Sequence, residues 1–176
     1  MMKRIYPFRM EYTEEFGQLF LYHVRQEDLK YFTYPDGVKH ISIKGDFLDT
    51  YNIPDGVETF VCNRLGLKEL YVPDSVTHLY CSENLLQELS VPCTIEYLVV
   101  DGNQIHTLEF RDGQPEKLQV MEVQCNRLTN FDFEIPDDCD IDINDNMPES
   151  ISQSIKRCMQ DEERYLPKIF VRSDVY

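Results

Sequence analysis

Basic residues are scarce in this 176-residue sequence, which has 17 lysines and arginines against 32 aspartates and glutamates and a net charge of −15. A nucleic acid or an anionic membrane is held mainly through lysine and arginine, so this balance argues against both as ligands. The acidic excess falls entirely on residues 35–147, which hold 7 basic and 22 acidic side chains. It favours a partner protein with a basic surface.

Long apolar runs are also missing. No stretch approaches the length of a membrane-spanning helix, and the start of the chain lacks the uninterrupted apolar segment of a secretion signal. The six cysteines include no CxxC pair, and a disulfide scaffold is expected only in a secreted chain. We therefore expect a cytoplasmic protein that binds no membrane and keeps its cysteines reduced.

Signatures of catalysis are missing as well. The seven glycines form no phosphate-binding loop, and the sequence contains no zinc-ligand spacing and no nucleophile with a positioned base. His23, His40 and His78 fall on different coils of the repeat described below, too far apart to share a metal ion. We expect a chain that is not an enzyme and that needs no cofactor and no metal.

What the chain does contain is a regular repeat. Four of its prolines recur every 19 residues. Self-similarity at a period of about 20 residues is the signature of a solenoid whose coils stack on their neighbours. The clearest unit is PDSVTHLYCSENLLQELSVP at 73–92. Counting back one period places a degenerate first coil at Phe16, and four extra residues at 111–114 form a loop in a later coil. The prolines that mark the period are Pro35, Pro54, Pro73 and Pro92.

Each unit contains an alternating segment that predicts a β-strand. Within residues 78–82, Leu79 and Cys81 point inward and the residues beside them point outward. Stacking of these strands gives a parallel sheet, while proline at the end of each return predicts an irregular, polyproline-like opposite side. Asparagine recurs just after the strand, where a buried amide can bond backbone groups that a turn leaves unpaired. These asparagines are Asn84, Asn103 and Asn126.

Three of the units resemble the leucine-rich repeat family. VTHLYCSENLLQEL at 76–89, IEYLVVDGNQIHTL at 95–108 and LQVMEVQCNRLTNF at 118–131 follow the family's LxxLxLxxNxLxxL core. The prefix IPDGV at 53–57 is similar to that of FNIP-type repeats. The resemblance implies a leucine-rich-repeat solenoid, or horseshoe, with its parallel β-sheet on the concave side. It also implies protein binding, because the family uses this side mostly to bind proteins.

We expect a single domain with its own caps. Residues 1–15 do not fit the period and predict an irregular or β-type N-terminal cap, and residues 16–147 hold about seven repeats. In residues 148–176 the period changes, because Ile151 and Ile155 are spaced as on one face of a helix. We predict a C-terminal capping helix followed by a tail.

Partner-binding candidates lie among the outward residues of the predicted sheet. These form columns that change from basic at the start, through apolar and aromatic, to acidic at the end. Tyrosines beside aliphatic residues are typical interface anchors, although the same residues also suit a β-strand. In the first coil, the period assigns Leu21, His23 and Arg25 to these columns. We predict partner contacts at Val61, His78, Tyr80, Tyr97 and Val99.

A second interpretation concerns the acidic segment from Asp138 to Glu149. Oxygen-bearing side chains at alternate positions mimic an EF-hand calcium loop, so a calcium-responsive structural module is the alternative function. However, Ile143 occupies the position where that loop requires glycine. A charged last strand with Ile141 and Ile143 inward explains the same alternation without a metal and is preferred. The ligands of such a loop would be Asp138, Asp140, Asp142, Asn144, Asn146 and Glu149.

Overall fold

The computed structural model describes residues 7–129 and 133–146, which form a β-solenoid. Seven parallel strands are joined by six turns of the chain, and short strands also occur on the return path. The elements are β1 (Arg9–Thr13), a 3-10 turn (Glu14–Phe16), β2 (Gln18–Val24), α1 (Gln26–Leu29), β3 (His40–Gly45), β4 (Thr50–Asn52), β5 (Thr59–Val61), β6 (Glu69–Tyr71), β7 (His78–Tyr80), β8 (Glu88–Pro92), β9 (Tyr97–Val99), β10 (Thr107–Arg111), β11 (Val120–Glu122) and β12 (Asp140–Asp142).

One eight-stranded sheet runs the length of the described residues, in the order β1-β2-β3-β5-β7-β9-β11-β12. All pairs are parallel except β1 with β2, where β1 lies antiparallel and occupies the first edge of the sheet. The register confirms the solenoid prediction, because His40, Thr59, His78 and Tyr97 stand opposite one another at the same interval as the prolines. The β9 to β11 step is longer, and residues 112–114 of the loop predicted at 111–114 follow β10, which ends at Arg111.

The core lies between this sheet and the returning side of each coil. Along β7 the exposure alternates, with Leu79 buried between half-buried neighbours, and β5, β9 and β11 repeat the pattern. Leu86, Leu89 and Val91 fill the same coil from the return side and are 0–3% exposed. Because each coil repeats these positions, the apolar interior is continuous through the described residues.

The return side, defined here as the side that carries β4, β6, β8 and β10, is more regular than predicted. β4 pairs in parallel with β6, and β8 with β10. The prediction of an irregular, polyproline-like side was wrong for these segments. Extended segments one coil apart bring their N–H and C=O groups into register, and pairing satisfies them better than water at a crowded surface.

The first coil also corrects the sequence count. The period would place Leu21 opposite His40, but Gln18 pairs with His40, so the outward columns begin at Gln18. The placement of Leu21, His23 and Arg25 in these columns was therefore wrong. Leu21 is fully buried, His23 lies at a bulge with φ of 57°, and Arg25 caps α1. The short helix α1 lengthens this coil and shifts the register.

Asparagine side chains hold the turns that follow the strands. The Asn84 Oδ1 atom accepts hydrogen bonds from the backbone N–H groups of Leu65 and Leu67, at 3.0 and 3.1 Å. Its Nδ2 atom donates to the carbonyls of Cys62 and Cys81, at 2.9 and 3.1 Å. One side chain thus bonds backbone groups of two coils. Equivalent bonds are made by Asn103, Asn126 and Asn146.

A left-handed residue precedes each of these asparagines, and also Leu65 at the equivalent position one coil before Asn84, which the sequence did not indicate. Gly102 has φ of 65°, and four residues with side chains adopt nearly the same conformation. A non-glycine residue there costs about 1 to 2 kcal/mol. The turn shape therefore recurs although glycine does not, and the asparagine bonds offset the strain. The four are Arg64, Glu83, Cys125 and Asp145, with φ between 54° and 61°.

The predicted C-terminal helix over 148–164 lies outside the described residues. Among the residues that are described, α1 has four residues and no helix is long and apolar enough to cross a membrane.

Candidate functional site

The outer surface of the eight-stranded sheet, called here the sheet face, is the best candidate for a binding site. Its residues are aligned by strand pairing, so each column presents side chains from successive coils side by side. Most are half-buried. The first column is Gln18, His40, Thr59, His78, Tyr97, Val120 and Asp140, and the second is Phe20, Ser42, Val61, Tyr80, Val99, Glu122 and Asp142.

All five predicted contact residues lie together on the sheet face and are called the aromatic patch. The rings of His78 and Tyr97 stack with centroids 4.6 Å apart and planes 11° from parallel. Tyr80 lies between Val61 and Val99 in the second column. The patch therefore presents two tyrosines flanked by aliphatic side chains, with a histidine stacked on one ring.

Hydrogen bonds hold the edges of the aromatic patch. The Tyr97 hydroxyl donates to Gln119 Oε1 at 3.0 Å, and the His78 Nδ1 atom is 2.8 Å from the Thr77 hydroxyl. The Tyr80 hydroxyl has a raised pKa, mainly because of partial burial and then because of the nearby Tyr97 and Glu122. The rings are thus held in place while their outer surfaces stay accessible.

Four carboxylates form what we call the acidic end of the sheet face: Asp101, Glu122, Asp140 and Asp142. Glu122 pairs with Val99 of the aromatic patch on one side and with Asp142 on the other, so the two surfaces adjoin. The pKa of Glu122 is raised by partial burial and by the charges of Asp101, Asp142 and Asp140, in that order. Ionised Glu122 is therefore disfavoured by its surroundings.

An unsatisfied acceptor lies two residues after Glu122. The Oε1 atom of Gln124, in the segment after β11, is buried and has no hydrogen-bond partner in the described part of the chain. Nearby, the Ser82 hydroxyl donates to Asp101 Oδ1, and Asp142 Oδ1 accepts from the backbone and side-chain N–H groups of Asn144. These donors are all neutral.

Cys81 was predicted to point inward, and it lies in the core beside Cys62. Cys62 and Cys81 are fully buried, their Sγ atoms are 2.8 Å apart, and both are free thiols. The pKa of Cys62 is raised far above its ordinary value, mainly by burial and further by Cys81. The Cys62 thiol therefore stays protonated and unreactive, and it fills the core as a small apolar side chain does.

The calcium-loop prediction is only partly covered by the structure, since Glu149 lies outside the described residues. Asp140 and Asp142 belong to β12, as the charged-strand interpretation predicts. The Asn146 side chain accepts from Leu128 N at 3.1 Å and donates to the Val123 carbonyl at 2.8 Å. Its amide is thus occupied by backbone groups. In residues 7–129 and 133–146, no three histidine, cysteine, aspartate or glutamate side chains are grouped to hold a metal ion.

A groove of about 630 Å³ lies away from the sheet face, between α1 and β4. On its wall the hydroxyls of Tyr34 and Tyr51 are 2.5 Å apart, and burial is the main cause of the raised pKa of each. The Gln26 Oε1 atom accepts from the backbone N–H groups of Asp49 and Thr50, at 3.0 and 3.2 Å. The sequence count missed this groove because it depends on the extra length of the first coil.

Comparison of the chain with protein-family models, with curated proteins and with solved structures found no match.

Proposed function

We propose that this chain is a non-enzymatic, cytoplasmic protein-interaction module, a leucine-rich-repeat horseshoe that binds a partner protein through the sheet face as its concave side. The observation that carries the proposal is the aromatic patch, in which Tyr80 and Tyr97 stand half-exposed among aliphatic neighbours. Exposed clusters of this kind commonly mark interaction sites. Tyrosine is also among the residues that dominate binding energy at protein interfaces.

The rigidity of the patch supports the same function. Its residues stand on paired strands over a buried core, and Tyr97 is fixed by its stack on His78 and by its bond to Gln119. A surface that is already ordered loses less conformational entropy on binding. The patch can therefore contribute more of its contact energy to affinity than a flexible loop could.

The horseshoe interpretation rests on the repeated interior. Buried leucine and β-branched residues recur at the positions of the LxxLxLxxNxLxxL pattern, and buried asparagines bond the backbone just after the strands. These positions carry the resemblance stated from the sequence, and they support a binding scaffold whose specificity resides in its outward residues.

The test is the double substitution Tyr80→Ala with Tyr97→Ala. Proteins captured from cytoplasmic extract by the wild-type chain are purified and titrated calorimetrically against both chains. We expect the variant to lose about 2 kcal/mol, roughly 30-fold in Kd. Its thermal midpoint should stay close to that of the wild type, because neither ring fills the core.

Tyr71→Ala is the matched control, since Tyr71 is 57% exposed on the return side. This variant should bind like the wild type. Equal affinities of all three chains would contradict the assignment of the sheet face, and a large fall in the midpoint of the double variant would show that the rings are structural.

A further inference from the structure

We propose that the partner of the sheet face presents a basic, apolar segment, in which an arginine contacts the acidic end while an apolar side chain two or three residues away packs on the aromatic patch. This inference rests on the proposed function and adds the chemistry of the partner. It follows from the contiguity of the two surfaces, from the pairing of charges along the solenoid, and from the geometry of the carboxylates.

The two surfaces are close enough for one short segment to contact both. Val99 and Glu122 are directly paired, and so are Tyr97 and Val120. Neighbouring strands are about 4.8 Å apart. Tyr80 on β7 and Glu122 on β11 are two strand spacings apart, about 9.6 Å. An extended segment that crosses β7, β9 and β11 at about 3.3 Å per residue therefore needs about three residue steps to place one side chain against Tyr80 and another against Glu122.

Charge complementarity favours a cation at the acidic end. Elsewhere on the described surface, three carboxylates form ion pairs with a basic side chain one coil away, as in the pairs Lys39–Glu58 and Lys68–Asp49, each 2.8 Å apart. None of the ion pairs in residues 7–129 and 133–146 includes a carboxylate of the acidic end. A partner cation would supply the missing charge and offset the repulsion between Glu122 and its neighbours.

Arginine fits this arrangement better than a metal ion does. The carboxylates of Glu122 and Asp142 extend from adjacent strands, and the described residues hold no group of three or more histidine, cysteine, aspartate or glutamate side chains that could bind a metal ion. A guanidinium group has five N–H donors in a planar fork, which can bridge two carboxylates. Its flat face can also stack on a ring such as that of Tyr80.

The experiment uses a phage-displayed library of random twelve-residue peptides, selected on the full chain. We expect the selected peptides to share an arginine two or three positions from an aromatic or aliphatic residue. The strongest peptide is then synthesised in two forms, one with arginine and one with citrulline, which is neutral but has nearly the same shape. Calorimetry measures each form on the wild type and on the double variant Glu122→Gln with Asp142→Asn.

On the wild type, citrulline should weaken binding about 10- to 100-fold. On the neutral double variant, both peptides should bind weakly and nearly alike. The same double variant should also show a smaller dependence of Kd on salt concentration. Glu88→Gln with Glu109→Gln, which removes two exposed carboxylates on the return side, is the matched control and should behave like the wild type.

The outcomes separate this inference from the function on which it rests. One outcome would support the binding face but overturn the arginine contact. In it, the peptides bind the Tyr80→Ala with Tyr97→Ala variant more weakly than the wild type, but their arginine and citrulline forms bind the wild type with equal affinity. Failure to select any peptide whose binding depends on either double variant would overturn both.

Discussion

Replacement of Asn84 by alanine should destabilise the solenoid far more than its loss of volume suggests. The side chain is 3% exposed and bonds backbone groups of two coils. In the variant, Leu65 N, Leu67 N and Cys62 O lose the partner that Asn84 supplies, while Cys81 O keeps a bond of 2.9 Å from Asn103. Three buried groups are therefore left unpaired.

Each such group costs about 1 to 3 kcal/mol. Entry of water into the space left by the amide lowers this cost, so we expect a total of about 3 kcal/mol. With a urea m-value of about 2 kcal/mol/M, the unfolding midpoint should fall by about 1.5 M. A domain of ordinary stability would remain folded in water after this loss.

Asn63→Ala is the matched control. Asn63 is exposed and its Oδ1 atom accepts a single bond, from Ser82 N at 2.9 Å, so its loss should cost less than about 1 kcal/mol. Asn84→Leu places at this position the residue type that Leu65 provides at the equivalent position one coil earlier. Because leucine fills the space but makes no hydrogen bond, this variant separates the effect of the lost bonds from the effect of the lost volume. If the unfolding free energies of Asn84→Ala and Asn63→Ala agree to about 0.5 kcal/mol, buried amide bonding does not hold the turns.

Two further predictions concern single residues. Glu122→Gln should raise the free energy of unfolding at pH 7 by about 0.5 kcal/mol. The folded-state pKa of Glu122 is raised, so ionisation of Glu122 lowers the stability of the wild type above that pKa. The stabilisation by Glu122→Gln should therefore shrink as pH falls through this pKa. If the stabilisation persists in acid, the ionisation of Glu122 is not its cause. Cys125→Gly should stabilise the fold by about 0.5 to 1 kcal/mol because Cys125 has φ of 54°. Cys125→Ala should give no gain in the same thermal melts.

The repeat period was enough to place most of the candidate site. Because coils of equal length stack in register, counting from the prolines assigned Val61, Tyr80 and Val99 to one column, and the strand pairing has them so. Leu79 and Cys81 were likewise predicted to be inward, and both are fully buried. Periodicity succeeds here because each residue's direction depends only on local alternation and on neighbours one coil away.

The same count failed where the coil length changed. Leu19 and Leu21 alternate as a strand should, and this local signal would have placed Leu21 inward, where the structure has it. The count was wrong because nothing in the period marks the three extra residues of the first coil, which contains α1. Asn146 was interpreted as a calcium ligand rather than as a member of the asparagine series, because it lies 20 residues after Asn126 while the prolines recur every 19 residues.

The sequence by itself determined the solenoid, its inward residues and the acidic character of the array, since these depend on composition and on a repeat that each coil satisfies with its neighbours. Tertiary structure alone decided the register of the first coil, the paired strands of the return side and the left-handed turns. It also decided that the aromatic patch adjoins the acidic end. These features depend on contacts between coils, where backbone pairing and burial act across distances that a single period does not record.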